Sequence, residues 1–221
     1  MYLLSQTCQI QNLDQIYTKY FGLFTNNRIF VEIGAYDGES VSNTSCLADA
    51  GWKGIYVEPI HEFYLKCLER HKNNKVMVAN LSIGLQEGPQ KIYSNGILSS
   101  LVQDYAEIGI TKFNYPNYKE DLCFQLRMDT FLKNYNVPYD FDVFVVDVEG
   151  REHEVFYSLD LNKWKPKMLI VELVDDHEYF QDKSNVVNES KGLRNFILRY
   201  DYTEIYRDDI NTIFVKNDFI Q

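Results

Sequence analysis

The chain has 221 residues, 45% of them hydrophobic, with a net charge of -10. That length suits one large α/β domain, which buries its apolar surface without disulfides or a structural metal. The charge argues against a nucleic-acid partner: phosphate binders cluster Lys and Arg, whereas the 22 basic residues here are scattered among 32 acidic ones.

Residues 3–24 carry apolar groups at Leu13, Ile16, Tyr17, Tyr20 and Phe21, a helical spacing that Gly22 can end. RIFVEIG at 28–34 reads as a compact strand closed by a glycine turn, followed by a helix over 39–50 that stops at Gly51. GIYVE at 54–58 is a second buried strand, 59–71 a second helix and KVMVA at 75–79 a third strand. Residues 83–118 show little period, so two short strands and a long loop are expected there, a length that is usually functional. Order returns at 124–127, with a helix over 128–135. DVFVV at 142–146 and MLIVE at 168–172 are the fourth and fifth core strands. A helix over 188–200 precedes a hairpin of 202–206 and 212–216 with its turn at 208–211.

This alternation predicts a three-layer, Rossmann-like α/β fold: a seven-stranded, mostly parallel sheet with a C-terminal antiparallel hairpin. Residues 1–221 are expected as a single domain, with 1–27 an N-terminal helical lid and 28–216 the core. No apolar run reaches the roughly 20 residues of a membrane helix. The N-terminus lacks a signal peptide's basic start and apolar block, so a cytoplasmic protein is expected. Cys8, Cys46, Cys67 and Cys123 form no C-x-x-C pair, so neither a zinc site nor a redox motif is legible.

In open α/β sheets ligands bind at the C-terminal strand ends. The first strand ends in Glu32, Gly34, Ala35, Tyr36 and Gly38, a G-x-x-x-G turn rather than the G-x-G-x-x-G of dinucleotide sites, and no Gly-Lys-Ser/Thr phosphate loop is present. An acid just before the turn suits a ligand carrying an ammonium group, as S-adenosylmethionine does. Glu58, followed by Pro59, ends the second strand where a carboxylate can accept both ribose hydroxyls. Asn80, Leu81 and Ser82 then fall beside an adenine. Asp147 and Glu149 end the fourth strand, and Glu172 ends the fifth, soon followed by Asp175, Asp176 and His177. Converging acids hold a proton, act as bases or bind a metal. The bland reading of Glu149 is a helix cap.

The residues also carry a family resemblance. VEIGAYDG at 31–38, VEP at 57–59, RMDTFL at 127–132, VDVEGREHEVF at 146–156, LIVE at 169–172 and the NTIFV ending at 211–215 together resemble the FkbM family of S-adenosylmethionine-dependent methyltransferases. The D-x-E-G element is the most specific of these. Glu32 stands where that family usually has Asp, and Tyr36 is bulky for its turn. The resemblance implies a class I methyltransferase fold and O-methylation, often of sugars or natural-product hydroxyls. A small-molecule or glycan acceptor fits the acidic balance, with Asp147 as base or metal ligand and Glu149 and Glu172 assisting. Mg²⁺ or Mn²⁺ held by Asp147, Glu172 and Asp175 is the metal version. His153 and His177 are alternative bases. Methylation of protein or RNA, and an inactive fold serving as a binding module, are the competing readings; the acidic charge opposes RNA and the intact cofactor signature opposes loss of activity.

Overall fold

A computed structural model describes residues 2–22, 27–180 and 184–220. Its elements run α1 (Leu13–Phe21), β1 (Ile29–Ile33), α2 (Ser45–Asp49), β2 (Lys53–Val57), α3 (His61–Arg70), β3 (Val76–Ala79), β4 (Ser82–Ile83) and β5 (Gly88–Ser94). There follow α4 (Gln103–Phe113), β6 (Lys119–Leu126), α5 (Met128–Asn134), β7 (Val143–Val146), α6 (Glu152–Tyr157), α7 (Leu161–Trp164), β8 (Met168–Glu172), α8 (Ser184–Leu198), β9 (Tyr202–Arg207) and β10 (Asn211–Lys216).

The expected sheet forms. Seven strands lie in the order β3-β2-β1-β7-β8-β10-β9, parallel except for β10, which runs antiparallel between β8 and β9. β7 and β8 are buried along their whole length, because helices cover both faces and leave no solvated side to impose alternation. On one face Val31, Ile33, Phe144, Val146, Leu169 and Val171 pack with the helices from the chain's second half. On the other, Phe30, Tyr56, Val145, Ile170 and Ile213 pack with residues of α1 and α2. The strand order reverses between β1 and β7, which opens a crevice at their C-terminal ends. No helix among the described residues is long and apolar enough to cross a membrane.

Three expectations need correction. The first helix is α1 alone, ended by Gly22 at φ 75°; residues 23–26 of the expected span lie outside the described residues. It is also no lid. Tyr17 and Phe21 are buried, with the Phe21 ring centroid 5.3 Å from that of Trp52 and 5.4 Å from that of Phe219. An aromatic face that finds aromatic partners is core, whatever its place in the sequence.

The second correction is that residues 39–44 are not helical; only α2 is. Asp37 accepts the backbone N–H groups of Glu39 and Ser40, and Ser42 accepts those of Thr44 and Ser45. Such short polar side chains compete with the helix for its donors. The third concerns residues 83–118, which contain the helix α4 and the strand β5, the latter part of a second sheet of order β4-β6-β5. Gly109 weakens the helical signal of α4, yet a Cβ there would stand 2.6 Å from Asn95 Nδ2, so close packing needs the glycine. In β6 the buried residues are Cys123 and Gln125, too few to mark a strand by alternation.

Candidate functional site

The first wall of the crevice is the turn after β1. Gly34 adopts φ 88°, and a Cβ on it would lie 1.6 Å from the carbonyl oxygen of Asp147. Glycine is therefore dictated by the approach of β7, not only by the turn. The Gly34 and Ala35 N–H groups both donate to Val57 O, and Asp147 N–H donates to Ile33 O, which locks the three strand ends together.

Glu58 follows β2 and is buried. Its Oε2 accepts the Tyr36 N–H at 2.9 Å and its Oε1 accepts the Ile60 N–H at 2.7 Å. Burial pushes its carboxyl up to about 8, against the downward pull of those two donors. Each oxygen keeps a lone pair for a ligand.

A cavity enclosing about 760 Å³ of empty space, its open mouth included, joins these walls. Of the expected cofactor residues, Gly34, Tyr36, Glu58, Pro59, Leu81 and Ser82 line it, as do Asp147 and Glu149. Glu32, Ala35, Gly38 and Asn80 do not. Glu32 faces the opposite side of the sheet, where Thr44 Oγ1 and Ser42 Oγ donate to its carboxylate. Burial lifts it to about 7. Strand alternation explains the correction: Ile33 points to the cavity, so its neighbour Glu32 cannot. Ala35 is buried, Gly38 gives its carbonyl to His71 Nε2, and Asn80 donates to the carbonyls of Glu58 and Pro59, fixing that turn from outside.

Sequence reasoning missed the apolar wall. Phe63 from α3 packs its ring 4.4 Å from that of Tyr36, and Ile92, Ile97 and Leu101 come from the region expected to be loop. Isolated apolar residues in a stretch without period gave no signal. Gln9 reaches the wall from ahead of α1.

At the ends of β7 and β8, Asp147, Glu149 and Glu172 each bring an oxygen within 4.8 Å of the others. Two full charges at that distance repel by roughly 3 kcal/mol at an effective dielectric near 20. Burial pushes Asp147 up to about 6. Burial and then the charges of their acidic neighbours hold Glu149 and Glu172 well above the carboxylate range. Among the described residues no basic side chain forms an ion pair with any of the three. Glu172 is 7% exposed, and its Oε2 has no hydrogen-bond partner among the described residues.

A fourth acid, Glu152, was not singled out from sequence. Its Oε1 accepts the N–H groups of Val148 and Gly150 at 3.0 and 3.1 Å, clamping the turn that carries Glu149. Glu149 itself is not a helix cap; it sits at φ 56°, with Ser100 Oγ donating to its carbonyl at 2.6 Å.

Asp175 is a correction. It is buried in ion pairs with Arg194 at 2.8 Å and Arg207 at 3.1 Å, so it is a structural acid and not part of the carboxylate group. Asp176 also pairs with Arg207. His153 faces Glu189 at 3.8 Å, and the His177 ring packs edge-on to Phe180; neither lines the cavity.

A doubly wound sheet with an antiparallel β10, a glycine turn at its switch point and a carboxylate after β2 defines the class I S-adenosylmethionine-dependent methyltransferases. Residues 32–204 match the methyltransferase FkbM domain, and the chain belongs to that family. The same fold occurs in an O-methyltransferase from Bacillus cereus in complex with S-adenosylhomocysteine, at TM-score 0.55 and 15% identity, covering 97% of this chain and 83% of that one. It occurs again in the O-methyltransferase TomG from Streptomyces achromogenes, involved in tomaymycin synthesis, at TM-score 0.54 and 14% identity, covering 92% and 77%. No curated protein sequence matches the chain.

Proposed function

We propose that the protein methylates a hydroxyl oxygen of a sugar or glycan, with Asp147 activating the acceptor. The observation that carries this reading is one cavity lined by two chemically different sets of residues, Gly34 and Glu58 on the one hand and the carboxylates of Asp147 and Glu149 on the other. The residues suit S-adenosylmethionine on the structure's own terms. Gly34 lets the turn after β1 close onto the Asp147 backbone, and Glu58 holds two fixed oxygens for a ribose. Tyr36, Pro59, Leu81 and Ser82 then border the nucleoside. When bound, the cofactor supplies an electrophilic methyl group: a lone pair of the acceptor oxygen forms the O–C bond while the C–S pair stays on sulfur.

The chain's own part is to orient that oxygen and remove its proton. Asp147 is delivered by a fully buried strand, so its position is fixed before substrate arrives. Its carboxyl near 6 makes it a stronger base than an exposed aspartate, yet ionised at neutral pH. The apolar wall of Phe63, Ile92 and Leu101 keeps water from competing as acceptor. An end lined by unpaired acids repels carboxylate and phosphate acceptors and receives the neutral, donating hydroxyls of a sugar.

The test is transfer of isotope-labelled methyl to a panel of sugars, glycans, peptides and RNA, read by mass spectrometry. Label on a sugar hydroxyl is expected. Label confined to peptide or RNA refutes the acceptor class, and cofactor binding without any transfer refutes enzymatic activity altogether.

A further inference from the structure

We infer that Asp147, Glu149 and Glu172 form a divalent-cation site at the acceptor end of the cavity, with Glu149 taking the place that sequence spacing would give to Asp175. The site stands on its own geometry; its role in activating a hydroxyl rests on the methyl-transfer reading above.

Three ligand oxygens lie within 4.8 Å of one another, close enough to share one ion. Proximity of acids alone would prove little. The second observation is Glu172, whose Oε2 is buried beside the group without a hydrogen bond, although buried polar atoms are nearly always paired. Arg194 and Arg207 pair instead with Asp175. A cation supplies what this end of the cavity lacks: a partner for the orphan oxygen and positive charge among repelling carboxylates.

The turn is also built to present Glu149. Its backbone is held in the left-handed region by Ser100 at its carbonyl and by Glu152 at the flanking N–H groups. Gly150 fits there only because it has no side chain, since a Cβ would stand 2.4 Å from the Tyr105 ring. Ser100 lies between Ser99 and Leu101 of the cavity wall, so that wall and the third ligand are set together.

The donor set names the ion's class. Three carboxylates, with no His or Cys among them, select a hard cation such as Mg²⁺, Mn²⁺ or Ca²⁺ over Zn²⁺ or Cu²⁺. Three protein oxygens leave coordination positions free, and Asp147 and Glu149 line the cavity from which an acceptor hydroxyl reaches them. Asp147, Glu149 and Glu172 would hold the ion, which would supply positive charge beside an acceptor hydroxyl, with Asp147 the group to take its proton.

The experiment is titration of the chelator-stripped full chain with Mn²⁺ alone, with no cofactor or acceptor, followed by electron paramagnetic resonance of the free ion. One site is expected, weakened at least ~10-fold in Glu149→Gln and in Glu172→Gln, the loss seen even for groups that only support a metal ligand. Thermal unfolding separates lost ligation from misfolding. Metal-free Glu172→Gln should melt no lower than the metal-free parent, because a neutral amide replaces a buried carboxyl set among other acids, and should gain nothing from Mn²⁺. Absence of Mn²⁺ binding to the folded parent, or equal binding by both Gln variants, overturns the site. Mn²⁺ bound as expected with no hydroxyl methylated supports the site and refutes the functional reading. Methylation indifferent to EDTA by a protein that binds no Mn²⁺ refutes the site alone.

Discussion

Glu58→Gln tests the cofactor end of the cavity, and the structure sets both its sign and its pH dependence. The carboxyl stands near 8 because burial disfavours its charge, so at pH 7 roughly one molecule in eleven has it ionised, rising to ten in eleven at pH 9. The ionised form offers acceptors to both ribose hydroxyls; a proton takes one of them away. Affinity for the ribose should therefore tighten about tenfold from pH 7 to pH 9, or about 1.4 kcal/mol. The probe is 5′-methylthioadenosine, which keeps the nucleoside but lacks the titrating ammonium of the intact cofactor. Calorimetry across that range should show the rise in the parent and a flat profile in the Gln variant. At pH 9 the variant should bind about 1.5–3 kcal/mol more weakly, the scale of a hydrogen bond to a charged group. A parent whose affinity is flat from pH 7 to pH 9, or a variant that rises in parallel, would refute Glu58 as the ribose acceptor.

Other perturbations separate the remaining roles. Asp147→Asn should cost at least ~100-fold in turnover while cofactor affinity stays within a few-fold, since Asn keeps the shape but takes no proton; full activity of the variant refutes its role. Gly34→Ala should lose at least about 3 kcal/mol of stability by denaturant titration, because its Cβ meets the Asp147 carbonyl at 1.6 Å and the backbone is left-handed; a stability within 1 kcal/mol of the parent would show that this close approach is relieved at little cost. Glu32 rises from 4.5 to about 7 on folding, so the folded chain holds its proton more tightly than the unfolded chain. That stability is present below pH ~4.5 and lost as pH climbs to ~7, in total about 3 kcal/mol. Glu32→Gln should accordingly gain on the parent between pH 5 and pH 8 in urea titrations; a constant difference contradicts a carboxyl raised by burial.

What the sequence made legible follows from how each signal arises. Continuous apolar runs such as Val143–Val146 and Met168–Glu172 announced buried parallel strands, and Gly34, Glu58 and Asp147 were found because a strand end is a defined address. The direction of a side chain at that address was harder. Glu32 looked suited to the ligand by position, but one residue of strand alternation turns it to Thr44 and Ser42. The apolar wall stayed hidden because β5 and β6 are held by pairing with each other and packing on Phe63, and α4 by packing on Val174 and Phe180, rather than by their own periodicity. Their residues acquire a face only after the second sheet has formed.

The fates of Asp175 and Glu149 turn on whether a long-range partner comes to meet the acid. Both lie just beyond a buried core strand and both were expected near the chemistry. Arg194 on α8 and Arg207 on β9 reach Asp175 from 19 and 32 residues away and neutralise it. No guanidinium reaches Glu149 among the described residues, and Glu152, itself acidic, braces its turn through backbone N–H groups rather than through opposite charge. A fold that ties the backbone of an acid in place while withholding a counter-charge raises that acid's energy in the empty protein. The energy falls only when a proton or a cation arrives. This makes the carboxylates at the ends of β7 and β8 a weak point of stability and, for the same reason, the groups on which the proposed proton transfer and cation binding rest.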